Sequence, residues 1–582
     1  MANKTRLLKI EAQRAQTFLF KVPRLADMDG ANALLGDLFR QRLPKALSDY
    51  LSKPTIDTET IKALETIEQE FAASDPMVNR NSEPNNSIGC SVQSPFSAQD
   101  RPSQLFAEGL LVRDGGRLWA LVDEDDVEAA KLAAAASIQD RCPGLGYAFH
   151  VTDLDEEKHN QEIPTSNATD LVGLPCFRWA EDGGDEPAAG TIEFKREGGR
   201  EDTRSVARST LIKREARRKR DGLWDVASLL RPNLPGPSKN TDTVDFKDIA
   251  AGRYLAVIHM DGNSIGARSM RYASETSENG FIAKQARMEK FFFAMRSATR
   301  QSVAAGLNNE FRDYPDQYRL LMLGGDDVLI VCRADKALPF VCSVAHELTA
   351  FELPDGEPLT LGAGIAIAKP NLPFHRLHQL AEQLASSAKR IGIDPDGKRR
   401  SVVDWLVTTS SWVDSVEAHR GRWERVKYTI DQEEVSLVLT GKPYPVLTQN
   451  DEPSLEALLK SAQEVRTKFY CEGESGNGVR SQLKNFLNEL HKGKIFAELA
   501  WAGLPHRLRE FLDDRIPANF QKPGVEGKGL WMSVKANGGN YRTWLPDLIE
   551  AIELQQIGSQ RASEADELPE SQPKQRGQGS AT

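Results

Sequence analysis

The sequence predicts an α+β fold: two ferredoxin-like (βαββαβ) palm domains followed by a C-terminal helical domain. Three observations carry this reading. Residues 105–124, LFAEGLLVRDGGRLWALVDE, and 318–335, YRLLMLGGDDVLIVCRAD, share one plan of apolar strand, Gly-Gly turn, apolar strand and acidic helix start. Upstream of each lies another apolar strand, residues 7–10 and 254–260, and downstream an amphipathic helix and a fourth strand, 146–151 and 359–368. From residue 401 onward the pattern turns helical, with apolar residues three and four apart over 455–467, 478–490 and 504–512.

Length and composition fit this plan. A chain of 582 residues is several times the usual domain length, and 40% apolar with 27% charged residues is ordinary globular composition. No apolar run approaches the roughly eighteen residues of a membrane span, and Lys4, Arg6, Lys9, Glu11 and Arg14 interrupt the apolar N-terminus. A cytoplasmic protein without a membrane partner is expected. Six scattered cysteines without a C-x-x-C pair point to reduced, structural thiols. A net charge of -10 confines any nucleic-acid contact to local basic segments.

The expected order is a first palm over 1–155, an insert or linker over 156–245, a second palm over 246–405, a helical domain over 406–556 and a disordered tail over 557–582. Turn formers over 74–103 predict a long loop. Within the insert, 204–220 carries eight basic residues and one acidic one, which can contact RNA or form a solvated helix face; the latter is favoured.

In a βαββαβ sheet the first and third strands are antiparallel central neighbours, so the end of one meets the start of the other. In the second unit those ends hold Asp261 and the hairpin Gly324-Gly325-Asp326-Asp327, which predicts three convergent carboxylates. Such a cluster needs a cation, and hard oxygen ligands beside a nucleotide suit Mg²⁺ (or Mn²⁺). Asp261, Asp326 and Asp327 are thus the expected metal ligands and catalytic residues of a two-metal nucleotidyl transfer. Gly262, Asn263 and Ser264 after the strand, Gly324 and Gly325 on the hairpin, and Gly266 just beyond are expected to lie at the triphosphate. Lys389, in the last turn of a predicted helix, either reaches phosphate or complements the helix dipole. His259 is read as a packed side chain without a role. In the first unit Gly115-Gly116-Arg117-Leu118 aligns with the acidic hairpin and Arg14 falls roughly at Asp261, so that copy is expected to shape rather than catalyse.

These residues resemble the large, polymerase/cyclase-type subunit of type III CRISPR effector complexes. The opening IEAQRAQTFLFKVPRLADMDGANALLGDLF is similar to that family's first palm, and HMDGNSIG with LGGDDVLIV to its catalytic palm. LTLGAGIAIAKPNLPFHRLHQLAEQLASSAKR is similar to its closing strand and helix, and SVVDWLVTTSS and LTGKPYP to the lead into its helical domain. The resemblance implies ATP as substrate, cyclic oligoadenylate as product, and other CRISPR subunits, guide RNA and target RNA as partners. No histidine is followed by Asp and the chain opens on the first palm, so no HD nuclease activity is expected. Cys176 stands alone where members often carry a Cys-rich segment, so zinc is not carried over. Two other readings stay open: a free-standing cyclase of the diguanylate type, and a non-catalytic scaffold.

Overall fold

The computed structural model describes residues 4–72, 101–154, 188–218, 245–408, 413–448, 452–515, 530–533 and 540–565, short breaks aside. The chain divides into two units, 1–333 with 339–422 and 442–449, and 334–338 with 423–441 and 450–582.

The first palm runs β1 (Thr5–Gln13), α1 (Ala15–Phe20), α2 (Leu25–Asp37), β2 (Leu110–Val112), β3 (Arg117–Asp123), α3 (Val127–Arg141) and β4 (Gly146–Asp153). Its antiparallel order β2-β3-β1-β4 is the ferredoxin-like arrangement that the repeat predicts. Period-two alternation puts Leu8 and Ile10 with Leu118, Ala120 and Val122 on one face, where Ala130, Ala134 and Ile138 of α3 bury them.

The insert is more than a linker. Its described part is a hairpin of β5 (Ala188–Lys195) and β6 (Glu201–Ala207) leading into α4 (Arg208–Arg218). Three cations of α4 face the first palm. Buried Lys213 donates to the Phe18 carbonyl (2.6 Å) and lies 4.0 Å from the Phe18 ring centre. Arg214 grips Asp27 with two bonds (2.8 and 3.1 Å), and Arg217 lies 3.8 Å from Asp29. Gly30 lets the helices touch, since a Cβ there would sit 1.9 Å from the Lys213 carbonyl oxygen.

The second palm comprises β7 (Leu255–Gly262), α5 (Ile265–Ser274), α6 (Phe281–Phe311), β8 (Tyr318–Gly324), β9 (Asp327–Arg333), α7 (Ala334–Leu348), β10 (Leu361–Ala368), α8 (Phe374–Lys389) and β11 (Val402–Val407). Here β8-β9-β7-β10 repeats the first sheet's order, extended by β11, parallel to β10, and by the short strand Tyr444–Pro445. Strands buried on both faces read as the continuous apolar runs seen in β7 and β10. The palms share a core, in which Leu25 and Met28 of α2 join Val257, Leu329, Leu377 and Leu380.

Two glycines seat α8 on the sheet. A Cβ on Gly364 would lie 1.9 Å from the Ala381 carbonyl oxygen, and one on Gly362 2.5 Å from Cγ of Lys389. The helix backbone therefore rests directly on β10.

In the other unit the helices Leu455–Val465, Glu474–Leu490 and His506–Asp513 appear where apolar spacing predicts helix, and Lys494–Ala502 and Leu545–Ala565 add to them. Ser454 caps the first by accepting from the Ala457 N–H (3.1 Å). A four-stranded sheet of Arg425–Ile430, Glu433–Val438, Asn540–Arg542 and Met532–Ser533 accompanies them. The last helix continues to Ala565, past the expected start of the tail at 557; the rest of that tail and nearly all of the loop over 74–103 lie outside the described residues. Among the described residues no helix is long and apolar enough to cross a membrane.

Gly364→Ala is expected to destabilise the second palm by about 3 kcal/mol or more, because neither backbone can yield. Gly266→Ala, in α5 with nothing within 4 Å of the added methyl, should instead gain about 0.5–1 kcal/mol. Thermal melts of both variants check this; equal melting temperatures would mean that α8 is not seated on β10 as described.

Candidate active site

The geometry follows from strand alternation at one end of the second sheet. In β7, His259 and Asp261 project to the face covered by α8, while Met260 and Gly262 project to the other. β9 runs antiparallel with Met260 opposite Val328, so Asp261 stands opposite Asp327 one step further out. The β8–β9 turn is two residues long, with Gly325 at φ 89° in its first central position, where a side chain is strained.

Asp261, Asp327 and His259 bring one potential ligand atom each within 4.8 Å of one another. Asp326 stands apart from this group. Adjacent residues leave a strand on opposite faces, and Asp326 turns toward Gly262, where an added Cβ would lie 2.8 Å from its own. It lines a small cavity with Met260, Thr299, Val303, Val328 and Val344. The expected convergence of three carboxylates is therefore two on one face and one on the other.

Burial and mutual repulsion disfavour the charged forms. Burial first, then Asp327 and Asp261, push the Asp326 carboxyl up to about 7. Asp327 rises to about 6 through burial and the nearby Asp261, with Lys389 opposing. Lys389 pairs directly with Asp261. Its stem reaches across β10 because the residue in register with Asp261 is Gly362, which leaves the path open. In this structure Lys389 thus serves the carboxylate.

The other expected binding residues divide into struts and open positions. Asn263 is buried: its backbone N–H donates to the Thr360 carbonyl (2.9 Å), and its amide donates to Thr360 Oγ1 (3.0 Å) and the Arg400 carbonyl (3.1 Å). Gly262 is filled by Asp326 from one side. Ser264, exposed at φ 59°, and Gly266 stand at the open N-terminus of α5, and Gly324 is exposed at the hairpin. In the first palm the residue matching Ser264 is Arg14, which caps α1 at φ 52°. By ladder register and strand face Glu11 rather than Arg14 takes the place of Asp261, opposite Arg117 in the place of Asp327, and the two side chains approach to 3.7 Å.

Several contributors escaped the sequence reading. Buried Arg268 of α5 binds Asp355 with two bonds (2.8 and 2.7 Å) and the carbonyls of Glu357 and Pro358, fixing the segment that presents Thr360 to Asn263. His259 is buried with its Nδ1 unpartnered, and His378 and Glu382 of α8 lie beside it. Burial lowers the pKa of His259 and takes that of His378 down to about 4. The spacings 259/261 on a strand and 378/382 on a helix were the available signals.

A ferredoxin-like sheet with an aspartate ending its first strand beside an acidic two-residue hairpin defines a palm domain. Residues 254–395 match the family model for the second palm domain of Cas10/Cmr2, which bears out the resemblance to the large subunit of type III CRISPR effector complexes. Among solved structures the chain is similar to the Csm1–Csm4 cassette in complex with cA4 (11% identity over 95% of this chain and 70% of that one, TM-score 0.46). It is also similar to Csm1 of T. onnurineus (13% identity, 94% and 70%, TM-score 0.42). The search of curated proteins gave no match.

Carboxyls raised from about 3.8 in the unfolded chain to about 6 and 7 in the fold hold extra protons in the native state between about pH 4 and 7. Their stabilising contribution is full below pH 4 and is lost as pH rises through 7. The metal-free melting temperature should carry this fall, and Asp326→Asn with Asp327→Asn should flatten it. Mg²⁺ should raise the melting temperature more at pH 8 than at pH 5, since protonated carboxyls do not ligate; equal gains would contradict the assignment.

Proposed function

We propose that the chain is the palm-domain large subunit of a type III CRISPR effector complex, and that its second palm joins ATP into cyclic oligoadenylate. The observation that carries this is the Asp261–Asp327 pair, opposed across two antiparallel strands at an open sheet end. The donor set fits Mg²⁺ or Mn²⁺: two hard carboxylates, that of Asp327 raised in pKa by burial and by Asp261, with an ammonium standing in as counter-charge. When bound, such an ion lowers the pKa of an attacking ribose hydroxyl and offsets charge on departing pyrophosphate.

The chain's own residues do the positioning. Asp261 and Asp327 hold the ion from paired strands, a more rigid support than a loop. Ser264 and Gly266 offer the N-terminus of α5, with its free N–H groups, to triphosphate oxygens. Lys389, whose partner carboxylate a bound ion would claim, would then be left to hold phosphate as a point charge. Asp326, on the opposite face, supports the hairpin against Gly262. The first palm, with Glu11 opposite Arg117 in place of the two aspartates, lacks the carboxylate pair and acts as a structural partner. Other CRISPR subunits, guide RNA and target RNA belong to this reading as the partners that switch synthesis on, and the cytoplasm as its place.

Purified complex incubated with each nucleoside triphosphate, Mg²⁺ and target RNA tests the proposal through its products. Asp261→Asn and Asp327→Ala should each lower oligoadenylate synthesis about 10²-fold or more with assembly intact, and Asp326→Ala should cost less than Asp327→Ala. Lys389→Met should raise KM for ATP more than it lowers kcat. Wild-type-like turnover in Asp327→Ala would overturn the assignment.

A further inference from the structure

Against α8 the second palm holds a cluster that the nucleotidyl-transfer reading leaves unused. His259 of β7 and His378 and Glu382 of α8 bring one potential ligand atom each within 4.8 Å of one another. His378 and Glu382 share a helix face because they are four residues apart, and His378 Nε2 lies 3.8 Å from a Glu382 oxygen. Both histidines are more than nine-tenths buried, at 7% and 6% exposure. His259 Nδ1 and His378 Nε2 are each buried without a hydrogen-bond partner. A buried unpaired imidazole nitrogen costs free energy, and two of them beside one carboxylate call for a shared occupant.

We propose that His259, His378 and Glu382 form a transition-metal site, suited to Zn²⁺ and distinct in chemistry from the acidic pair beside it. Two imidazoles and one carboxylate are a recurrent three-ligand set for zinc that leaves a fourth position open, whereas Mg²⁺ prefers an all-oxygen shell. The surroundings orient the ligands. Gln16 of α1 donates to Glu382 (3.2 Å), the kind of outer contact that fixes a ligating carboxylate. The His378 ring packs between Phe20 (5.0 Å) and Phe374 (6.0 Å), which holds its plane. Bonds of about 2.0–2.2 Å require the three atoms to draw together by roughly 1 Å, a side-chain adjustment. Because Gln16 and Phe20 come from the first palm, the site ties the two palms together.

The test is metal binding by the full-length chain, stripped with chelator and titrated with Co²⁺ and Zn²⁺ in excess Mg²⁺ without ATP, so it is independent of synthesis. One equivalent of Co²⁺ should bind, with visible bands of a low-coordinate nitrogen-and-oxygen site, and Zn²⁺ should displace it. His378→Gln should abolish the bands. Glu382→Gln, which keeps an oxygen for Gln16 and leaves the aromatic packing untouched, should weaken binding at least about tenfold. Asp327→Asn should leave the bands in place. The proposal is overturned if no Co²⁺ binds in excess Mg²⁺, if Glu382→Gln binds as wild type, or if Asp327→Asn alone removes the ion.

Discussion

The second palm is organised around one electrostatic constraint: two carboxylates, Asp261 and Asp327, face each other across paired strands at a half-buried sheet end, with a third, Asp326, directly behind. Like charges this close cannot all ionise at neutral pH without cationic charge nearby. Burial first, and then the neighbouring carboxylates, raise the pKa values of Asp326 and Asp327 against the opposing pull of Lys389. What positive charge there is comes from Lys389, and its access depends on backbone features elsewhere. Gly362 must lack a side chain for the lysine stem to pass, and Gly364 must lack one for α8 to sit low enough for Lys389 to be in range. A pair of glycines on β10 thus gives an aspartate on β7 its cationic partner.

Duplication shows what the same framework does without that constraint. The two sheets have the same strand order, and both first strands enter their helices through a residue at positive φ, Arg14 and Ser264. In the first palm the opposed pair is Glu11 and Arg117, whose side chains approach to 3.7 Å, so an ion pair stands where the second palm sets two carboxylates together. Freed from metal chemistry, that palm contributes outward instead: α1 lays Phe20 on His378 and brings Gln16 to Glu382. The basic helix α4, with its cations turned to Phe18, Asp27 and Asp29, locks the first palm's outer face.

Much of this was legible in the chain itself. Apolar runs broken by Gly-Gly mark the hairpins, and the repeat locates every strand of both βαββαβ units, because burial imposes continuous apolar sequence on central strands. The position of Asp261 beside the hairpin followed from topology. The separation of Asp326 from Asp327 was legible too, since neighbours on a strand face opposite ways, but the GGDD string invites reading its acids as one group. Arg14 was matched to Asp261 by distance along the chain, whereas ladder register matches Glu11. The role of Asn263 as a strut could not be read, because Thr360 and Arg400 lie 97 and 137 residues away in sequence. In the C-terminal sheet Met532–Ser533 and Asn540–Arg542 are too short to leave a periodic signal, whereas Arg425–Ile430 and Glu433–Val438 carry one in Val426, Tyr428 and Ile430 and in Val435 and Leu437.

The supports of the site differ in stiffness, and this bears on how it can respond to a ligand. Asp261 and Asp327 are built into a ladder, and the chain leaving β7 is held by Asn263, Thr360 and the Arg268–Asp355 fork, so these positions have little freedom. Lys389 is held differently: it lies in the last turn of α8, partly exposed, on a flexible stem whose one charged partner here is a carboxylate that a divalent cation would claim. A divalent ion at Asp261 would both supply positive charge and take the carboxylate from Lys389, leaving the lysine at the mouth of the same opening without any movement of the sheet.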